Sequence, residues 1–130
     1  MNTVTVSLAW IGALYATFVV KHFLADFLFQ TGWMAIEKGE IRGWVAPLAI
    51  HAAIHAGLTL VIALVVWPPL WWLGAVDFAV HAAIDRAKAG VTRAMAVTPK
   101  DNAWWWLLGA DQALHELTHL GFVLALLGVR

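Results

Sequence analysis

The sequence predicts an all-α protein, a polytopic membrane four-helix bundle in which residues 1–130 form a single transmembrane domain. Three observations lead there. Hydrophobic residues make up 62% of the chain, nine of its residues are Trp and its mean hydropathy is +0.78, a membrane composition rather than a soluble one. Four apolar stretches reach the roughly 20 residues needed to cross a hydrocarbon core about 30 Å thick. Each stretch also carries acidic residues or histidines four apart, which places them on one helix face.

The first helix is expected from Val4 to Phe29. It contains Lys21, His22 and Asp26 and no small-residue cleavage site after a short apolar core, so it reads as a retained helix rather than a signal peptide. The second runs from Trp44 to Trp67, where Pro68 and Pro69 stop it. Proline cannot continue a helix but is tolerated in a first turn, so the third helix, Leu70 to Ala89, follows as a tight hairpin. Gly90 to Lys100 then reads as a polar connector, with Asp101 or Asn102 able to cap a last helix spanning Trp104 to Gly128. Most tryptophans fall near these expected ends, where indole rings favour the membrane interface.

Several function classes drop out at this point. The formal net charge is zero, with no basic stripe to neutralise phosphates, so nucleic acid is not an expected partner. There is no cysteine, which removes disulfides and thiolate chemistry and leaves only nitrogen and oxygen ligands for a metal.

Loop charge orients the bundle. Lys38, Arg42, Arg86, Lys88, Arg93 and Lys100 follow helices one and three, whereas the opposite side holds Arg130 and the amino terminus. By the positive-inside rule, both charged connectors are cytoplasmic and both termini lie outside. Counting ~1.5 Å of rise per residue from the cytoplasmic ends puts His22, His51, His81 and Asp111 at ~10 to 12 Å depth, with His55, Asp77 and His115 at ~16 to 18 Å. Asp26 and Asp85 then lie nearer the cytoplasm and His119 deepest.

Polar groups between membrane helices can serve only as hydrogen-bonding glue. Ten of them on four helices suggest more, because an aspartate at mid-helix costs roughly 2.5 to 3.5 kcal/mol on insertion scales. The expected metal ligands are His22, Asp26, His51, His55, Asp77, His81, Asp85, Asp111, His115 and His119. Imidazole and carboxylate together suit a divalent metal ion, zinc or iron first, with one or two ions per chain. A haem held by two histidines is the competing cofactor, although it gives no reason for an aspartate beside nearly every histidine. Asp26, Asp85 or Glu116 are the expected proton acceptors. Glu116 is rotated ~100° from His115 and has a second reading as a partner of Gln112 or Lys21. Lys21 reads either as a snorkelling residue or as a charge aimed at an anionic substrate. Arg86 and Lys88 read as interface anchors that could also hold a lipid phosphate.

The strings from Lys21 to Ala35 (KHFLADFLFQTGWMA), Pro47 to Gly57 (PLAIHAAIHAG), Asp77 to Lys88 (DFAVHAAIDRAK) and Asp111 to Leu120 (DQALHELTHL) resemble a family of small bacterial integral-membrane proteins catalogued as a domain of unknown function. The resemblance implies a multi-pass protein of the bacterial inner membrane. A weaker likeness, in helix-borne His and Asp, is to membrane-bound metal-dependent hydrolases. The leading expectation is therefore a metal-dependent hydrolase acting near the cytoplasmic lipid interface, with the bilayer as partner and a lipid or another membrane-embedded molecule as substrate. A metal-ion or proton carrier is the main alternative, because Asp and His chains also act as relays. An oligomeric structural protein locked by metal is a third, and four spans leave a homodimer open.

Overall fold

The computed structural model describes residues 6–128. Among them the regular structure is entirely helical: α1 (Leu8–Phe23), a π-helical turn (Leu24–Leu28), α2 (Gly32–Glu37), α3 (Val45–Val66), a 3-10 turn (Pro68–Leu70), α4 (Leu73–Ala94) and α5 (Asn102–Gly128). The expected start of the first helix at Val4, the amino terminus and Arg130 lie outside the described residues.

The element ends follow local chemistry. Ser7 caps α1, its Oγ accepting from Trp10 N at 3.2 Å, and Thr31 caps α2 by accepting from Met34 N at 3.3 Å. The two prolines form the 3-10 turn that reverses the chain, so α4 begins at Leu73 rather than at Leu70. At its other end α4 runs past Gly90 to Ala94, longer than the sequence suggests, because a single glycine lowers helix propensity without ending a helix that gains packing elsewhere. The stop comes at Ala96, in the left-handed region at φ 50. There Ala96 N donates to Arg93 O and Val97 N to Thr92 O, which is Schellman closure. Arg93 is consequently a helical residue rather than a connector residue, while Arg86 and Lys88 lie in α4 within the expected range of the third helix. Asp101 precedes α5 but turns its carboxylate back to Thr98, whose N and Oγ1 donate at 2.8 and 2.9 Å. Those bonds hold the Asp101 carboxyl below the ordinary carboxylate range.

The long helices pack in a ring: α3 on α4, α4 on α5, α5 on α1 and α1 on α3, with α2 against α3. Gly74 sets the α3–α4 approach, since a Cβ there would stand 3.0 Å from Ala56 O and 3.1 Å from Leu60 Cβ. Along the axis the interior divides in two. One half is apolar, built from Leu14, Phe18, Ala63, Leu73, Phe122 and Leu126 among others. The other half is polar, and all six histidines of the chain are buried there.

The exterior is the reverse. Large apolar side chains such as Phe27 (70% exposed), Val65 (79%) and Leu117 (63%) face outward. Two helical segments, Leu8–Leu28 and Val45–Val66, are long and apolar enough to cross a membrane. Four such spans were expected from the sequence; the buried polar residues of α4 and α5 lower their mean hydropathy below that level.

The connector after α2 is tied to α4. Arg86 lies over the Trp44 ring at 4.1 Å and donates to Glu40 O at 2.8 Å, while Arg93 donates to Gly39 O. Arg86 is thereby a structural pin, using its guanidinium on backbone and indole.

Candidate metal centre

The π turn decides where Asp26 points. Phe29 N donates to Leu24 O at 2.9 Å, five residues back, which widens the helix by one residue, a feature frequent at functional sites. Asp26 then bridges three histidines. Its Oδ1 lies 2.9 Å from His55 Nε2 and 3.4 Å from His51 Nε2, and its Oδ2 lies 2.8 Å from His22 Nε2. His81 Nε2, from α4, stands 3.1 Å from His51 Nε2. Asp26, His51, His55 and His81 thus bring four donor atoms within 4.8 Å of one another.

Part of this spacing suits a coordinated set, the rest being bounded at 4.8 Å. Donors about 2.0 to 2.1 Å from a tetrahedral zinc sit about 3.3 Å from each other, and three of the six separations, 2.9, 3.1 and 3.4 Å, bracket that value. A second grouping, His81, Asp85 and His115, shares His81 with the first. Its Nε2 also faces Asp85 Oδ2, at 3.7 Å, and one lone pair serves one ion, so the two groupings cannot both be filled through His81.

The buried carboxylates divide by their cationic partners. Asp77 has Lys21 at 2.6 Å, Asp85 has Lys38 at 2.7 Å and Asp111 has Lys88 at 3.1 Å. Among the described residues Asp26 and Glu116 have no Lys or Arg within 4 Å and face histidines instead. A buried carboxylate needs a positive partner. For Asp26 and Glu116 that partner is His22, with a carboxylate at each ring nitrogen, and an ion held by Asp26 with three imidazoles would supply a second positive charge.

The remaining sequence-predicted residues have other partners. His22 bonds Glu116 Oε1 through Nδ1 at 2.7 Å, and its Nε2 lies against Asp26 Oδ2 at 2.8 Å without hydrogen-bond geometry. It holds Asp26 from behind. Glu116 also accepts from Tyr15 OH at 3.0 Å, so it belongs to the site's wall rather than to Gln112. His22, Glu116 and His119 form a third close grouping, but His119 Nε2 faces the Lys21 ammonium at 3.3 Å, which places the ring's own proton on Nδ1. Asp77 accepts from Lys21 and, at 2.6 Å, from Thr59. Asp111 accepts from Lys88 and Gln112, both at 3.1 Å, and lies 3.6 Å from His115. Of the level expected to contain His22, His51, His81 and Asp111, only His51 and His81 meet.

The rings are fixed by packing. His55 stacks on His81 at 3.7 Å and His81 on His115 at 4.2 Å, while Nδ1 of His51, His55 and His81 are buried without a protein partner. Stacking therefore does the orienting that an outer carboxylate does in most histidine metal sites. Direct ring contact also leaves no plane between facing histidines for a porphyrin.

A cavity reaches a neighbour of the centre, while Asp26, His51, His55 and His81 do not line it. Asp85, whose Oδ2 is 3.6 Å from His51 Nε2, also lines a cavity of about 420 Å³ between α2, α4 and α5 together with Lys38, Lys88 and Arg93. Lys38 and Lys88, which the sequence reading left outside the site, neutralise its carboxylates. Lys21 carried a readable signal: it continues the buried stripe Leu14, Phe18, Lys21, Ala25 at helical spacing.

The family described as protein of unknown function (DUF3307) matches residues 14–127. The chain belongs to this family. The match includes Asp26, His51, His55 and His81 and the residues of the cavity wall. No curated protein and no solved structure matches the chain. The family description names no activity.

Proposed function

We propose that this DUF3307 protein is an integral membrane metalloprotein, a polytopic four-helix bundle of the bacterial inner membrane that hydrolyses a substrate at the cytoplasmic lipid interface. The observation that carries the reading is the convergence of Asp26 Oδ1 with Nε2 of His51, His55 and His81 at ligand spacing, beside a carboxylate that borders an open cavity. The inside-out distribution of polarity supports the membrane placement, as buried ionisable groups under an apolar exterior mark functional sites in bilayers.

In this reading Asp26, His51, His55 and His81 hold one divalent ion, zinc or iron by ligand type. Such an ion lowers the pKa of water toward ~7 and polarises a carbonyl or phosphoryl oxygen. Asp85 takes the proton, because it alone borders both the histidines and the cavity. Lys38 holds Asp85 ionised and aimed. His22 and Glu116 position Asp26 rather than meet substrate.

A carrier needs a path through the bundle. The apolar half around Phe18, Phe122 and Leu126 closes the far end, which favours chemistry over transport. The test uses purified protein in lipid vesicles, with hydrolysis products read by mass spectrometry with and without chelator. Chelation should abolish turnover, and Asp85→Asn should keep the metal while lowering turnover by about 10² to 10⁴, the range of a general base. Metal-dependent flux across the vesicle wall, without hydrolysis, contradicts the proposal.

A further inference from the structure

The cavity beside Asp85 does not end at the polar wall. Lys88 and Leu107 line both it and a second hollow of about 360 Å³, a groove between α4 and α5 walled by Ala83, Ala87, Ala110 and Leu114. Ala83, Ala87 and Ala110 are exposed and Leu114 is 50% exposed, so the groove faces the apolar exterior of the bundle. Small side chains in a row leave the space, and Lys88 stands where the polar and apolar parts meet.

We propose that cavity and groove together bind one anionic phospholipid, its phosphate over Lys38, Lys88 and Arg93 and one acyl chain along the groove. Among the described residues Lys38, Lys88 and Arg93 meet Asp85, Asp111 and Gly39 O respectively, and Lys and Arg have further donors to offer a phosphate. Glu40 and Asp85 also line the cavity; Asp85 is held by Lys38, and Glu40 opposes the anion. A water-soluble phosphate would engage the cations and gain nothing from the groove, whereas an amphiphile uses both. The inference rests on the hydrolase reading for its catalytic meaning, since it places a headgroup linkage beside Asp85. The binding site stands on cavity, groove and cations alone.

Native mass spectrometry tests it, on full-length protein extracted from bilayers of equal phosphatidylglycerol and phosphatidylcholine. Wild type should retain one phosphatidylglycerol in preference to phosphatidylcholine, and excess inorganic phosphate should not displace it. Lys88→Gln and Arg93→Gln should each weaken retention about fivefold, equivalent to the ~1 kcal/mol that a cation contributes near an anionic surface. Ala87→Phe, at an exposed position, should abolish retention by filling the groove. Ala53→Phe, an equally exposed alanine in a different groove on α3, should leave it intact. Equal retention of both lipids, unchanged retention in Ala87→Phe, or displacement by phosphate alone overturns the proposal. Metal content read on the same samples separates the two claims. Metal without lipid selectivity removes the lipid site only, and lipid selectivity without metal removes the metal centre only.

Discussion

Lys21 and Asp77 form an ion pair at 2.6 Å, 3% and 2% exposed, with Thr59 and His119 completing the shell. Removing one partner strands the other, so Lys21→Met should cost roughly 3 to 5 kcal/mol, read as a lowered melting temperature in detergent. Lys21→Met with Asp77→Leu should recover much of that loss, because the pair is then replaced by apolar volume. The histidines divide by what their nitrogens face. His22→Gln should lower metal affinity ten- to a hundredfold, as outer-shell changes do, while Asp111→Asn should leave affinity within about threefold, since Asp111 answers Lys88. Isothermal titration with zinc distinguishes these outcomes. The residue types of the site were legible from four-residue spacing alone. Their partition was not, because Nε2 of His81 and Nδ1 of His22 point where rotamers and neighbouring helices send them, and spacing on one helix carries no such information.

At the scale of elements, the four long helices and the proline hairpin followed from hydropathy and from Pro68 and Pro69. Two devices did not. The π turn at Leu24–Leu28 has no propensity signature, yet it carries Asp26, which faces His22 one turn back and His51 and His55 of α3 at once. The length of α4 was also hidden, because Gly90 reads as a breaker unless the packing that sustains the helix is known. Gly74 carries an element-scale prediction. Gly74→Ala places a Cβ against the Ala56 carbonyl and Leu60, backbone and core that cannot step aside, so α3 and α4 must separate. The expected cost is about 1 to 3 kcal/mol, typical of overpacking, checked by thermal unfolding in detergent. Ala at the exposed Gly57, where a Cβ meets nothing within 4 Å, should be neutral or slightly stabilising.

The whole molecule is polar inside one half, apolar inside the other and apolar outside. Composition raises the expectation of a membrane protein, and two helices are long and apolar enough to span one; only packing separates the apolar half of the interior from the polar one, since Leu14 and Phe18 share a helix and a face with Lys21. The absence of cysteine allows topology to be read directly. Single cysteines at Glu40 and Lys100 should label from the cytoplasmic side and one at Pro68 from the other; labelling of all three from one side would contradict the four-span arrangement. The centre itself is tested by metal analysis of detergent-purified protein, wild type against the variant His51→Ala with His81→Ala. The account predicts about one zinc or iron per chain in wild type, the capacity of a single four-donor set, and its loss in the variant. No metal in wild type, with the variant equally stable, would contradict it.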